Sequence, residues 1–142
     1  SLHQLGYWVE WRIINAADYG LPQRRKRTYI LAFHKDFWRV CSQNDLFRET
    51  TYLTQGILGN AFPFKKDDIN CIKHTHISDD VAYISECFGK DTTKGWFENS
   101  GIMFTDGKCI TAKVTPDYNG PRVTLGDIIL KEDIVVWELM LE

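Results

Sequence analysis

The sequence lacks most of the features that would place it quickly. It holds no Cys-x-x-Cys pair: Cys41, Cys71, Cys87 and Cys109 stand far apart. They could pair in an oxidising compartment, to which nothing else in the sequence points. No apolar run approaches the roughly 20 residues that cross a bilayer, and no signal peptide precedes the first strand. Neither sign of charge dominates, with 17 basic against 19 acidic residues and a net charge of −2. No internal repeat or low-complexity tract is present. These absences argue against a membrane span and against a general polyanion-binding surface. They favour a cytoplasmic protein with reduced, buried thiols.

What is present suits a packed core. Of 142 residues, 44% are apolar and 13% aromatic, enough for one ordinary domain or a large piece of something bigger. The chain opens "SLHQLGYWVEW" without an initiator Met and closes on the apolar "IVVWELMLE". The expectation is a segment of a longer protein.

Residues 2–6 read as a helix end stopped by Gly6. From Tyr7 to Ile14, Val9, Trp11 and Ile13 alternate with Glu10 and Arg12, the period of a half-buried strand. Asp18 to Pro22 reads as a turn in which Gly20 takes positive φ. Arg27 to Phe33 reads as a second strand, apolar on both faces and hence covered on both. A helix is expected within Asp45–Leu58, interrupted by Gly56 and Gly59, and another from Val81 to Phe88, started by Ser78 with Asp79 and Asp80. Asp106-Gly107 predicts a two-residue hairpin turn in "IMFTDGKCITAKV", and Thr124 caps a short helix, Leu125 to Leu130. The fold class is therefore α+β: an antiparallel strand pair, 7–14 with 27–33, and a smaller part with a β-hairpin (102–114) and short helices.

The chemistry concentrates in "NAADYGLPQRRKR", residues 15 to 27, where four cations precede the strand "TYILAF". Setting those four aside leaves 13 basic residues against 19 acidic ones, so any nucleic-acid contact is local. In an extended strand Gln23, Arg25 and Arg27 share one face and Arg24 and Lys26 the other. Two rigid guanidinium forks and an amide beside a buried strand suit phosphate or carbonyl acceptors. Composition alone favours a solvated strand end with its charges in water.

The same stretch resembles the eighth conserved motif of the DNA cytosine-5 methyltransferases. Asn15, Asp18, Tyr19, Gly20, Pro22, Gln23, Arg25 and Arg27 all fall in register. The likeness extends upstream through "LGYWVEWRIIN", and "NSGIMFTDGKCITAKVTPDYNGPRVTLGDIIL" is similar to the approach to a target-recognition region. The resemblance implies the edge of an α/β methyltransferase sheet at residues 1–38 and, at 39–142, an insert leading into target recognition. It implies double-stranded DNA with a cytosine flipped into a pocket, and S-adenosylmethionine as methyl donor of the parent enzyme. In the family a cysteine adds to ring carbon 6, and charge then builds on the ring nitrogen and O2, where fixed donors stabilise it. By this resemblance Arg27 contacts O2. Arg25 braces the pocket, the catalytic carboxylate or a phosphate, and Gln23 holds the turn or the DNA backbone. Arg24 and Lys26 attract phosphate or are simply solvated.

No cysteine follows a proline, and no Phe-x-Gly-x-Gly turn occurs. The fragment alone is therefore expected neither to bind the cofactor nor to methylate DNA. The different-class alternative is a free-standing, non-enzymatic β-rich module binding nucleic acid or protein. Cys71, His74 and His76 with Asp79 nearby have loose metal-ligand spacing but no second pair, so no metal is expected. Trp96, Phe97 and Phe104 could stack on bases but suit a core better. Lys108, Lys113 and Arg122 could meet phosphates. Trp8, Trp11, Tyr29 and Phe33, with an open strand edge, would make an isolated fragment self-associate.

Overall fold

The computed structural model describes residues 2–36, 49–87, 90 and 96–129. Five strands, β1 (Tyr7–Asn15), β2 (Lys26–His34), β3 (Lys73–His76), β4 (Ser100–Met103) and β5 (Lys108–Ala112), form one sheet in the order β2-β1-β4-β5-β3. Every pairing is antiparallel. The helices are short: α1 (Glu49–Gln55), α2 (Ile57–Ala61), α3 (Val81–Cys87) and α4 (Leu125–Ile128), with 3-10 turns at Ala16–Tyr19 and Lys66–Cys71. This is the α+β class read from the sequence. The expected strand pair is β1 with β2, in register from Tyr7↔His34 to Asn15↔Lys26, and the hairpin is β4–β5. Because β4 also pairs with β1, hydrogen bonds join residues on both sides of position 38.

The polar alternation in β1 runs opposite to its simplest reading. Glu10 is 2% exposed and Arg12 1%, whereas Ile13 is 44% exposed. Trp8, Glu10, Arg12 and Ile14 share the face that carries α1, α2 and the core of Leu53, Phe64, Ile102, Ile110, Ala112 and Val114. The physical reason is that both polar groups find backbone partners in the helical layer. Glu10 Oε1 accepts from the N–H groups of Leu58 (3.1 Å) and Gly59 (3.2 Å), and the Arg12 guanidinium donates to Leu53 O at 3.0 Å. Burial raises the Glu10 pKa, against the lowering effect of those backbone donors and of Arg12. On the opposite face Trp11 lies over its cross-strand partner Gly101, where a Cβ would run into the indole. Its ring N–H donates to Glu98 O at 3.1 Å.

Other boundaries also move. β2 is an edge strand among the described residues, with Tyr29 46% and Ile30 65% exposed, and is not covered on both faces. The helix expected within 45–58 appears as α1 and α2, broken at Gly56; residues 45–48 lie outside the described set. Within the expected start Ser78–Asp79–Asp80, it is Asp80 that caps α3, its Oδ1 accepting from Ala82 N and Tyr83 N. Phe88, Gly89 and the segment from Leu130 onward, like Cys41, are outside the described residues. In the β4–β5 loop only Gly107 has positive φ (+81°), so Asp106-Gly107 is not the two-residue turn, either common type of which needs positive φ at its first central residue, here Asp106. Phe104 N donates to Lys108 O and Gly107 N to Phe104 O instead.

Candidate functional site

The site is built from a turn and its supports. After β1 the chain makes the 3-10 turn Ala16–Tyr19, closed by Gly20 at φ +85°. Asn15 Nδ2 donates to Asp18 Oδ1 at 3.1 Å, linking strand end to turn. The loop following β5 clasps this turn from outside: Val123 N donates to Gly20 O at 2.8 Å. Tyr118, held by its hydroxyl on Pro121 O (2.9 Å), meets the edge of Tyr19 at 6.2 Å between centroids. A Cβ on Gly20 would stand 2.6 Å from both Pro121 O and Tyr118 Cε1, so the glycine is needed for φ and for space. From inside, Tyr19 rests edge-on against Phe62 (5.3 Å) and donates its hydroxyl to Pro63 O at 3.1 Å. Burial raises the Tyr19 pKa, partly offset by the Arg12 charge.

The basic cluster leaves this turn. Gln23, Arg24, Arg25, Lys26 and Arg27 are all exposed. Among the described residues no carboxylate forms an ion pair with any of the four cations. Arg27 Nη1 donates to Lys26 O at 2.8 Å. The uniform alternation expected from Gln23 to Arg27 does not hold: Arg25 N donates to Gln23 O at 3.1 Å, a three-residue turn, and the strand begins at Lys26. Arg25 is tied through its carbonyl, which accepts from Ala16 N at 3.1 Å. Cross-strand pairing puts Arg27 opposite Ile14 and Tyr29 opposite Arg12, so Arg27 and Tyr29 share the face on which Tyr29 meets Phe62 at 5.6 Å. Lys26 takes the other face.

The remaining candidates are dispersed. Phe104 packs against Trp8 (5.0 Å) and Tyr52 (5.6 Å) in the interior; Phe97 is exposed against Trp11, and Trp96 is half-buried. Lys113 and Arg122 are exposed and Lys108 is half-buried. Asp79 is engaged by His3 at 2.6 Å, and His76 Nε2 lies 2.9 Å from Asp106 O. Among the described residues no group of three His, Cys, Asp or Glu side chains is placed to hold a metal. Sequence reading did not single out Phe62, Tyr118 or Pro121 as supports of the motif.

The comparisons decide what the motif belongs to. The family described as C-5 cytosine-specific DNA methylase matches residues 1–113. The chain belongs to that family. Among relatives, the Type II methyltransferase M.Sau3AI of Staphylococcus aureus is 38% identical over 91% of this chain and 30% of its own length. M.NlaIV of Neisseria lactamica is 38% identical over 46% of this chain and 16% of its own. M2.ScrFI of Lactococcus lactis subsp. cremoris is 28% identical over 87% and 34%. The chain thus spans about a third or less of the methylases it matches. No solved structure matches it. Family membership sets aside the reading as an unrelated β-rich module. Among the described residues no helix is long and apolar enough to cross a membrane.

S-adenosylmethionine, the family's methyl donor, does not fit the described residues. Every strand pairing is antiparallel, so no glycine-rich turn follows a parallel strand, the arrangement that seats a nucleoside in an α/β sheet. A cavity of about 390 Å³ is ringed by His3, Gln4, Leu5, Gly6, His34, Lys35, Asp79 and Thr105, with the imidazoles of His3 and His34 but no larger aromatic ring in its wall.

Proposed function

We propose that the chain is part of a DNA cytosine-5 methyltransferase and supplies one wall of the pocket for an extruded cytosine, together with local DNA contacts. Cofactor and nucleophile motifs belong to sequence outside it, and the chain by itself does not methylate DNA. In this reading residues 1–38 are the edge of the catalytic domain and 39–142 an insert leading into target recognition. The observation that carries the reading is the pair Arg25 and Arg27, exposed and, among the described residues, without carboxylate partners, leaving a turn gripped on both sides by aromatic residues.

The chemistry follows from the charge. Addition of a nucleophile to a pyrimidine moves electron density onto O2, and a donor already held at that position stabilises the transition state without reorganising. Arg27 shares its face with Tyr29, which meets Phe62, and this supports assigning the donation to it. Arg25, fixed by its backbone bond to Ala16, braces the pocket or a phosphate. Gln23 holds the turn or the DNA backbone, and Arg24 and Lys26 supply phosphate attraction.

The test is fluorescence anisotropy with two short duplexes, one fully paired and one carrying a cytosine opposite an abasic site, which is already free to leave the stack. The expected result is tighter binding to the second, with the preference lost in Arg27→Ala. Equal affinity for the two duplexes overturns the pocket assignment. Incorporation of labelled methyl groups into DNA by the chain alone overturns its inactivity.

A further inference from the structure

Arg12 is buried at the centre of the sheet, yet among the described residues it has no carboxylate partner. Its donors go elsewhere: Nη2 to Leu53 O (3.0 Å) and Ser100 Oγ (3.1 Å), Nε to the same hydroxyl (3.3 Å), and Nη1 to Leu58 O (3.2 Å) and Phe62 O. The guanidinium carbon also lies 4.8 Å from the centre of the Phe64 ring. Leu53 is in α1, Leu58 in α2, and Phe62 follows α2 directly. Leu58 O also accepts from Phe62 N at 3.0 Å; carbonyls at and just beyond a helix C-terminus carry partial negative charge and suit a cation. A rigid fork is required, because the acceptors are spread around a plane that an ammonium group could not span.

One of those carbonyls connects the cation to the candidate site. Phe62 is the residue whose ring supports both Tyr19 and Tyr29, and the next carbonyl, Pro63 O, accepts the Tyr19 hydroxyl. We propose that Arg12 is a positioning residue for the target-base wall, fixing Phe62–Pro63 and through them the Tyr19 turn from which Arg25 and Arg27 emerge. This rests on the role assigned to those arginines under Proposed function. Arg12 itself touches no substrate, since its donors are spent inside the protein.

The experiment uses the whole chain labelled with 3-fluorotyrosine, the Tyr19 resonance being assigned by its absence in Tyr19→Phe. Circular dichroism selects variants that remain folded. Arg12→Met is expected to shift or broaden the Tyr19 resonance and to weaken binding of the abasic-site duplex by about threefold to tenfold, the range of one lost hydrogen bond. Tyr19→Phe is expected to add no further loss in the Arg12→Met background, because the contact it removes is already misplaced. Strictly additive losses, or an unmoved Tyr19 resonance in the folded variant, overturn the proposal. If Arg12→Met does not fold, Arg12→Lys, which keeps charge but not the fork, is read by the same two criteria. Failure of the unmodified chain to bind either duplex counts against the pocket reading, and the Tyr19 spectrum then decides on Arg12 by itself.

Discussion

Glu10 and Arg12, two residues apart on β1, hold the two ends of the same short helix. Glu10 meets the first N–H groups of α2, and Arg12 meets carbonyls within it and just beyond it. The spans match: two strand residues advance about 6.7 Å, and a five-residue helix is about 7.5 Å long. Each charge faces the helix end of opposite partial charge. One Glu10 oxygen, Oε2, is nevertheless buried without a hydrogen-bond partner among the described residues.

That orphan oxygen sets a pH dependence. Burial holds the folded-state pKa of Glu10 above its ordinary 4.5, so between the two values the folded chain binds more protons than the unfolded one. The contribution is fully present below the unfolded pKa and is lost as pH rises through the raised folded value. Each tenfold difference in proton affinity corresponds to about 1.4 kcal/mol. Urea denaturation across a pH series is expected to show this loss in the unmodified chain and not in Glu10→Gln.

Gly20→Ala is expected to destabilise by at least about 1–2 kcal/mol from left-handed backbone strain alone. Crowding against Pro121 O and Tyr118 adds to it. A denaturation midpoint within error of the parent would show that the outer loop gives way freely.

The thiols separate by depth. Cys109 is buried, and that burial pushes its pKa up to about 12, while Cys71 is exposed. Maleimide at pH 8 is expected to modify Cys71 in the native chain and Cys109 only after denaturant is added, since the thiolate is the nucleophile. Mass spectrometry of peptides reads the order. Native labelling of Cys109 at the Cys71 rate would contradict the packing.

Two classes of cation are expected in DNA binding. Arg24→Ala and Lys26→Ala should weaken paired and abasic-site duplexes alike and each reduce the salt slope by about one, the signature of a phosphate contact. Arg27→Ala should act chiefly on the abasic-site duplex. A uniform effect of all three would reduce the cluster to general phosphate attraction.

The edge of β2 is open among the described residues, with Tyr29 and Ile30 exposed. An edge of this kind templates pairing with another strand. Light scattering is expected to report mass increasing with concentration. Ile30→Lys should suppress it, and a strict monomer at high concentration would contradict the expectation.

Local signals were legible where chemistry is local. The Gly20 turn, the two strands that flank it and the Thr124 cap follow from local sequence; Thr124 N and Oγ1 both donate to Asp127 Oδ2 at 2.7 Å. The orientation of β1 was not legible, because a polar alternation normally marks the wet face. Here helix ends elsewhere in the sequence satisfy Glu10 and Arg12. The supports of Tyr19 come from Phe62–Pro63 and Tyr118, far along the chain, and no periodicity encodes such contacts. Edge or interior placement of β2 is likewise a property of neighbours, which its own residues do not specify.

The clasp on Gly20 also orders events during synthesis. The arginines leave the ribosome before Tyr118, Pro121 and Val123, which follow only after all five strands have been translated. Until then the stretch from Arg24 to Arg27 lacks its outer restraint, so the turn that bears it is completed later than the strands on either side of it.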